Sequence, residues 1–477
     1  MPSIETSSTR VSSTTGAVDS SDTDSVWSIE AMVYLLETTL SGAAGQHFGQ
    51  YWHRVQKGKD PVVTPLRSDG TSDHHLEVDR RPPAVPLPRT GIFTSVNEPA
   101  TLLHLATPGE WRAYLSAGAI APPSPADVGF VHLSTHEQVA LPADRLFRDR
   151  RDLLLLAVDT AAIEAAGVEI RWEPGVPGDP ASMRFPHAYG PVPTSAVLAV
   201  QTFRPRGDGG FDAPLPPPDR ADHAARLQAF ADSMPRRIAT TEVPVTGGVA
   251  VLQADVPWSH ACNQLLVDDM TAAQDIRAEA DRVLGGAGRR HRCATLRGPD
   301  PGPVARELGR SGWWVQHEVV MTRPLGDGSH PDGPLDDGPV AGPATLAEVR
   351  QVWTDAWRTD LPADDPQRLR LPDRYPVDDQ GVDVRYLASR DAHGAVVAAA
   401  ACAIDGATAV LDAVETAPAH RRKGYGDALL RGAAVVAEAA GCDLLALDAL
   451  ADDWPRHWYA RRGFTVIDET WAAGRQG

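Results

Sequence analysis

The sequence predicts an α/β protein, α+β when its several domains are taken together. Three observations carry this. At 477 residues the chain is too long for one ordinary core. Its prolines and glycines, 41 of each, collect in stretches that separate apolar blocks. The block from about 344 to 477 then alternates helical and strand periodicity, as helices packed on a mixed sheet do.

Composition narrows the function classes. Hydrophobic residues make up 42% and charged residues 23%, which fits a soluble globular protein. A formal charge of −18 argues against a broad nucleic-acid or anionic-membrane surface, since both would be repelled. Four separated cysteines, Cys262, Cys293, Cys402 and Cys442, form no C-x-x-C pair. They indicate neither a zinc ribbon nor a disulfide scaffold, and as reduced thiols they favour the cytoplasm. The opening stretch MPSIETSSTRVSSTTG has no apolar core of a signal peptide, and no run of about 18 apolar residues exists for a membrane span.

Along the chain, residues 1–25 are rich in Ser, Thr and Asp and are expected to be disordered. In 26–56, Trp27, Ile29, Met32, Leu35, Leu36 and Leu40 recur at helical spacing. They predict an amphipathic segment that packs on a neighbouring domain or docks a partner. Residues 57–100 are charged and Pro-rich, a linker. The block 101–203 holds short strand-like runs, LLHLA, FVHLS and LLLLAV. After a linker at 204–222, the block 223–323 contains a strand in VAVLQADVP, a helix in TAAQDIRAEADRVL and a strand in WWVQHEVVM. A Gly/Pro/Asp-rich tether, 324–343, precedes the final block. There LAEVRQVWTDAW is a helix, VRYLAS and AVVAAAACAI form a hairpin, and AVLDAVET is a strand. YGDALLRGAAVVAEAAG is a helix stopped by Gly441, LLALDAL a buried strand, WPRHWYARRGF a short helix and turn, and FTVIDE a last strand.

Chemistry concentrates between the strand ending at Thr416 and the helix after it, where Arg421, Arg422, Lys423, Gly424, Tyr425, Gly426 and Asp427 follow one another. Glycine lets backbone approach a ligand closely. The first helical turn leaves N–H groups unpaired at the positive end of the dipole. Three cationic side chains in an otherwise acidic protein complete an anion site suited to a pyrophosphate.

The order strand, R-x-x-G-x-G, helix, strand and then Tyr459-x-x-x-Gly463-Phe464 resembles the GNAT superfamily of acetyltransferases across the whole final block. ADDWPRHWYARRGF is especially like a group of actinobacterial members. The resemblance implies that residues 421–427 hold the pyrophosphate of acetyl-CoA and that the edge Val414, Glu415, Thr416 pairs with its pantetheine arm where two parallel strands splay. It implies Tyr459 as the general acid for the departing thiolate. Glu415 is the candidate base beside the thioester, with Asp412, Asp448 or a water chain as alternatives. Many members carry Asn seven residues before the Tyr; this chain has Asp452, which changes one cofactor contact. No metal is implied. Residues 241–323 look like the degenerate first half of a tandem GNAT protein: no R-x-x-G-x-G precedes a helix, and the run Gly288 to Arg292 leads into a strand and reads as a solvated turn.

Residues 101–203 carry a second resemblance, on His104, Gly129-Phe130-Val131-His132-Leu133-Ser134, Arg171-Trp172-Glu173 and Phe185-Pro186-His187-Ala188-Tyr189-Gly190. They resemble the "domain of unknown function 952" family. That family's likeness to ADP-ribosyltransferase folds implies that His104, His132, Glu173, His187 and Tyr189 surround a nucleotide-sized cleft. The alternative is that the histidines satisfy internal hydrogen bonds. Their spacing lacks the i, i+4 pattern of helix-borne zinc ligands.

The expected activity is therefore acetyl-CoA-dependent N-acetylation of an amine by direct attack on the thioester. The acceptor is a small-molecule or peptide amine drawn by the acidic surface, with its pocket around 346–380. Neither nucleic acid nor membrane is an expected partner, and oligomeric state stays open. Two alternatives remain: a non-catalytic acyl-CoA sensor, or a nucleotide- or NAD-directed activity in 101–203 with the GNAT block as accessory.

Overall fold

The computed structural model describes residues 99–121, 129–175, 180, 182–269, 271–326, 339–360 and 370–477, apart from the side chains of 357–360. The expected disordered and amphipathic segments, 1–25 and 26–56, lie outside the described residues, as does nearly all of the 57–100 linker.

The first domain runs β1 (Thr101–Ala106), α1 (Pro108–Ala117), β2 (Ala119–Ile120), β3 (Val131–His132), α2 (Ala140–Leu146), β4 (Leu153–Asp159), α3 (Thr160–Ala165), β5 (Glu169–Pro174), β6 (Arg184–Tyr189), β7 (Val192–Pro193) and β8 (Val197–Phe203). Small antiparallel sheets, β1-β4-β8, β3-β6-β5 and the pair β2-β7, make up its layers. Central β4 is buried at all its positions, as its unbroken apolar run requires: Leu154, Leu156 and Val158 meet Trp111, and Leu153 and Leu155 meet Phe147 and Phe211. Thr107 and Glu110 form a capping box at α1. The FVHLS run gives only the two-residue β3, because Ser134 leaves to pair with Leu103 of β1. The 204–222 stretch has no helix or strand, but Phe211 in it is 3% exposed and its N–H donates to Asp144 Oδ1 at 2.7 Å.

The rest is α4 (His223–Arg237), β9 (Thr241–Val245), β10 (Gly248–Leu252), β11 (Gln264–Val267), α5 (Ala273–Ala280), β12 (His291–Leu296), α6 (Gly302–Arg310) and β13 (Trp314–Pro324). Then follow β14 (Gly342–Ala344), α7 (Leu346–Asp360), α8 (Tyr375–Asp378), β15 (Asp383–Arg390), β16 (Val396–Asp405), β17 (Thr408–Thr416), α9 (Tyr425–Ala439), β18 (Leu444–Leu450), α10 (Trp454–Ala460) and β19 (Thr465–Gln476). Among the described residues, eleven of these strands share one sheet in the order β14-β15-β16-β17-β18-β13-β19-β12-β11-β10-β9. The halves exchange strands. β13, from the first half, inserts between β18 and β19 of the second. In return β19 reaches across to pair with β12, from His291↔Gln476 to Leu296↔Trp471. The final strand therefore runs well past the FTVIDE segment, because its downstream half serves the other block.

Helices cover both faces of the second half. On one, α9 buries Leu429, Leu430, Ala433 and Ala437 against Leu411, Leu445 and Leu447. At about 1.5–3 kcal/mol for each large apolar side chain, this packing is a major part of the stability of that half. On the other face, α7 seats Val349 and Trp353, and α4 seats Leu227 over Leu444 and Ala446. No helix among the described residues is long and apolar enough to cross a membrane.

The first domain is welded to the sheet at the β16–β17 turn. Asp405, 4% exposed, accepts 2.8 Å hydrogen bonds from Trp111 Nε1 and from both terminal nitrogens of Arg237. Arg226 reaches Asp443 at 2.6 Å, and Arg220 ties Asp443 to Asp159. Ala407 N–H donates to Val197 O at 2.8 Å. Removing one partner of such a buried pair costs about 3–5 kcal/mol.

Candidate active site

The site begins where β17 loses a neighbour. β17 pairs with β18 only from Thr408↔Leu444 to Leu411↔Leu447, yet stays paired with β16 out to Thr416. Beyond Leu411 the two parallel strands part. A bulge sits at the parting: Ala399 faces Glu415 but Ala401 faces Asp412. Ala413 there takes φ +51°, a costly conformation for a residue with a Cβ. Trp353 Nε1, donating to Ala413 O at 2.8 Å, holds it. The bulge sends Val414 into the core under α9, while Asp412 and Glu415 share the opposite face with Ala401 and Ala399.

Past the parting, the chain turns through residues 418–424 into α9. Gly424 takes φ +84° and caps the helix with no side chain to accept its N–H groups, so the first-turn donors stay open. Arg421, Arg422 and Lys423 are exposed and form no ion pair among the described residues; Arg421 Nε donates to Thr416 O at 3.0 Å, which braces the turn. In the motif both glycines serve close backbone approach to a ligand. The structure gives Gly426 a packing reason as well, since a Cβ there would lie 3.1 Å from the Trp458 ring. Asp427 turns to Arg462 at 2.5 Å, and that guanidinium stacks 4.4 Å over Trp458. These contacts fasten α9 to α10. Asp452 is exposed in the turn after β18, beside the α10 cap Asp453.

The opposite face of the sheet carries a cleft of about 1460 Å³. Its roof is apolar, from Leu227, Phe230, Met234 and Ile238 of α4 and the residue after it. Its floor is acidic. Asp412, Asp448, Glu318 and Asp468 come from four adjacent strands, β17, β18, β13 and β19. Asp412 is compensated by Arg374 and by the Tyr375 hydroxyl at 3.1 Å. Asp448 has no hydrogen-bond or ion-pair partner among the described residues. Water reaches it from the cleft, yet protein crowds it: desolvation first, then the charges of Glu318 and Asp412, raises its pKa to about 7. Burial raises Glu318 too, against the 2.6 Å hydrogen bond from Gln316 Nε2. Burial lifts Asp378 to about 6, with Arg374 opposing.

Tyr459 reaches the same space from α10. Its side chain is 7% exposed, it lines the cleft, and its hydroxyl has no hydrogen-bond partner among the described residues. Burial, with Glu415 and Asp412 adding, pushes its pKa well up, so the phenol keeps its proton at neutral pH. The expected acid and the strand parting thus meet. Glu415 lies on the cleft face of β17 but outside the cleft lining, whereas Asp448 and Glu318 are in it.

In the first domain the five residues singled out from sequence do come together. Glu173 Oε2 accepts from the Tyr189 hydroxyl at 2.7 Å and lies 3.3 Å from His187 Nδ1. His187 stacks on Phe130 at 4.1 Å and meets His132 edge-on at 5.1 Å; His104 Nδ1 lies 2.9 Å from His132 O. Burial, helped by its two histidine neighbours, holds His132 down at about 3, and burial lowers His187 despite Glu173. Both are neutral at neutral pH and offer hydrogen bonds, not charge. Among the described residues no cluster of His, Cys, Asp and Glu is arranged to hold a metal.

Comparison with known proteins bears on both regions. Residues 346–464 match the family model "Acetyltransferase (GNAT) family". The chain carries a GNAT acetyltransferase domain. Residues 105–200 match "Protein of unknown function (DUF952)", so the domain before it belongs to that family. No curated protein matches. Among solved structures, the chain is similar to a GCN5-related N-acetyltransferase from Kribbella flavida: 21% identity, 54% of this chain and 97% of that one, TM-score 0.37. It is similar to a functionally unknown conserved protein from Staphylococcus epidermidis, with 13% identity, 50% and 94% coverage and TM-score 0.40. A Caulobacter crescentus protein matches at 29% identity over 24% of this chain and 93% of its own, TM-score 0.21.

The block before the GNAT domain repeats its element order without its opening. β11 and β12 pair in parallel from Leu265↔Ala294 to Val267↔Leu296, and Arg297 N–H then donates to Val267 O at 2.8 Å. Arg297 also pairs with Asp268 at 2.8 Å, and a Cβ on Gly298 would press on Asp268 O. The strands stay closed, and Asp268 and Asp269 stand where the GNAT domain has its basic turn. In the run leading into β12, Gly288 and Arg290 are exposed as a solvated turn requires, but the other two arginines are tied down. Arg289 donates to Asn263 Oδ1 at 2.8 Å, and Arg292 pairs with Asp281 at 2.7 Å. What this block does supply is Glu318, which sequence reasoning missed. Its position depends on the strand exchange, and no local motif marks it.

Proposed function

We propose that the GNAT domain transfers an acetyl group from acetyl-CoA to an amine by direct attack on the thioester. The observation that carries this reading is the parting of β17 from β18 beyond Leu411. One side of that gap is the open α9 N-terminus with its three cations, and the other is the acidic cleft. Trp353 and Arg421 already hold Ala413 O and Thr416 O; the backbone of Val414 and Glu415 that β18 no longer pairs needs partners, and the amides of a pantetheine arm match it. Open N–H groups and Arg421, Arg422 and Lys423 suit a diphosphate.

The cleft side supplies the proton chemistry. An ammonium entering the cleft gives a proton to Asp448, whose carboxylate stands uncompensated beside Glu318. The neutral nitrogen then forms the new N–C bond as the C–S bond breaks; Tyr459 protonates the departing sulfur, and the proton shed by the acylated nitrogen returns through water to the phenolate. We assign the base role to Asp448 over the sequence candidate Glu415, because Asp448 lines the cleft and lacks a partner. An unpartnered carboxylate and an unpartnered buried phenol support turnover over a purely sensing role, which needs neither.

Calorimetry with acetyl-CoA and thiol release in the presence of amines test this. Expected are binding that Gly424→Val weakens and thiol release that Tyr459→Phe suppresses. Absence of acetyl-CoA binding would remove the proposal.

A further inference from the structure

We propose that the acceptor is a linear aliphatic oligoamine, its reacting nitrogen at Asp448 and a second ammonium held by Glu318 and Asp468. This rests on the acetyl-transfer reading above.

Three features of the cleft lead there. First, Asp448, Glu318 and Asp468 all line it, and among the described residues none forms an ion pair. Among the described residues Glu318 accepts from Gln316 alone, and Asp468 from the Glu469 N–H at 2.8 Å. Uncompensated carboxylates on one face of adjacent strands repel one another unless a cation joins them. Second, register spaces them. Val320 of β13 faces Asp448 on one side and Asp468 on the other, so the two carboxylates stand two strands apart, roughly 10 Å from the usual strand separation. Glu318 is one pleat along β13 on the same face. A single ammonium cannot serve both ends of that span; two joined by short alkyl spacers can. Third, the α4 side opposite presents Leu227, Phe230, Met234 and Ile238, with Gln228 its one amide, which offers methylenes a surface and a polyol few partners. A polyhydroxylated aminocyclitol would lose hydrogen bonds beneath it.

An acidic patch alone would not identify a ligand. The independent marker is Tyr459, whose unpartnered hydroxyl on a 7% exposed side chain reaches this cleft at the end where β17 and β18 part. It fixes which end is reactive, and Asp468 lies at the other. Asp412 is already matched by Arg374 and drops out of the recognition.

The test uses the whole chain with saturating acetyl-CoA, following thiol release with butylamine, spermidine and kanamycin. We expect kcat/KM for spermidine to exceed that for butylamine by about tenfold or more, the effect of one added charge contact. Asp468→Asn should cut that ratio by about tenfold, and Glu318→Gln should do so independently. Equal kcat/KM for spermidine and butylamine, preference for kanamycin, or a ratio indifferent to both substitutions overturns the proposal. Calorimetric titration of spermidine, with and without coenzyme A, separates this failure from the other. Spermidine binding that Asp468→Asn weakens supports the acceptor class even if no amine is acetylated. Lack of acetyl-CoA binding sinks the transfer reading instead.

Discussion

In the GNAT domain the parallel pair β17–β18 parts after Leu411, and a basic, side-chain-free helix start lies beyond. In the preceding half the equivalent pair β11–β12 is sealed by Arg297, through its own N–H to Val267 O and its ion pair with Asp268. The skeletons match; the seal is local. A bulge at Ala413, a left-handed Gly424 and a basic turn open one slot, and two aspartates and an arginine shut the other. Yet the sealed half is not idle. Its strand β13 forms part of the acidic cleft floor and brings Glu318 beside Asp448.

The sharpest way to break this division of labour is at Tyr459. Tyr459→Phe should lower kcat by about 10²–10⁴-fold, the usual range for a positioned proton donor, with acetyl-CoA affinity retained by calorimetry. An unchanged kcat would leave the phenol a core residue.

Next comes the base. Asp448→Asn should reduce kcat/KM by about 10²-fold at neutral pH. In the parent protein Asp448 accepts a proton only when ionised, so kcat/KM should rise with pH through an apparent value near 7. Glu318→Gln removes a neighbouring negative charge, eases ionisation of Asp448 and should move that limb to lower pH. A limb that stays in place would show the sealed half contributes nothing to the chemistry.

A smaller effect is expected at the cofactor turn. Gly424→Val forces a β-branched residue to φ +84°, and strain of about 1–3 kcal/mol should weaken acetyl-CoA binding roughly tenfold or more. The smallest concerns the sealed half itself. Asp269→Ala should change acetyl-CoA affinity by less than about twofold, since a shut strand pair holds no cofactor to repel. Stoichiometry should be one per chain; two would reopen the comparison.

Much of this was legible in the sequence where chemistry is local. The Arg421-to-Asp427 turn and Tyr459 stand out because strand, turn and helix follow one another within a short stretch, and the structure joins them at one gap. Four of the five residues picked in the DUF952 domain meet around Glu173 and His187 because β3, β5 and β6 are neighbours in one small sheet, and His104 joins from β1 through His132 O. Glu318 and Asp468 were illegible: nothing in WWVQHEVVM or FTVIDE says that those strands lie side by side in the other half's sheet. The 324–343 stretch reads as a boundary between units, but pairing across the sheet overrides it. Gly426 shows a subtler limit, since its closest neighbour is the Trp458 ring, a contact no motif specifies.

The reciprocal strands also set an order of assembly. β12 can form its β19 ladder only once Gln476 is available to His291, and β18 needs the much earlier Glu318-to-Pro324 segment on its flank. Neither half can therefore close its sheet by itself as it leaves the ribosome. The upstream half must wait with an unpaired strand, in need of protection from aggregation, until the downstream half has been translated. Expressing the GNAT domain by itself would discard β13 and leave β18 and β19 without the strand that joins them.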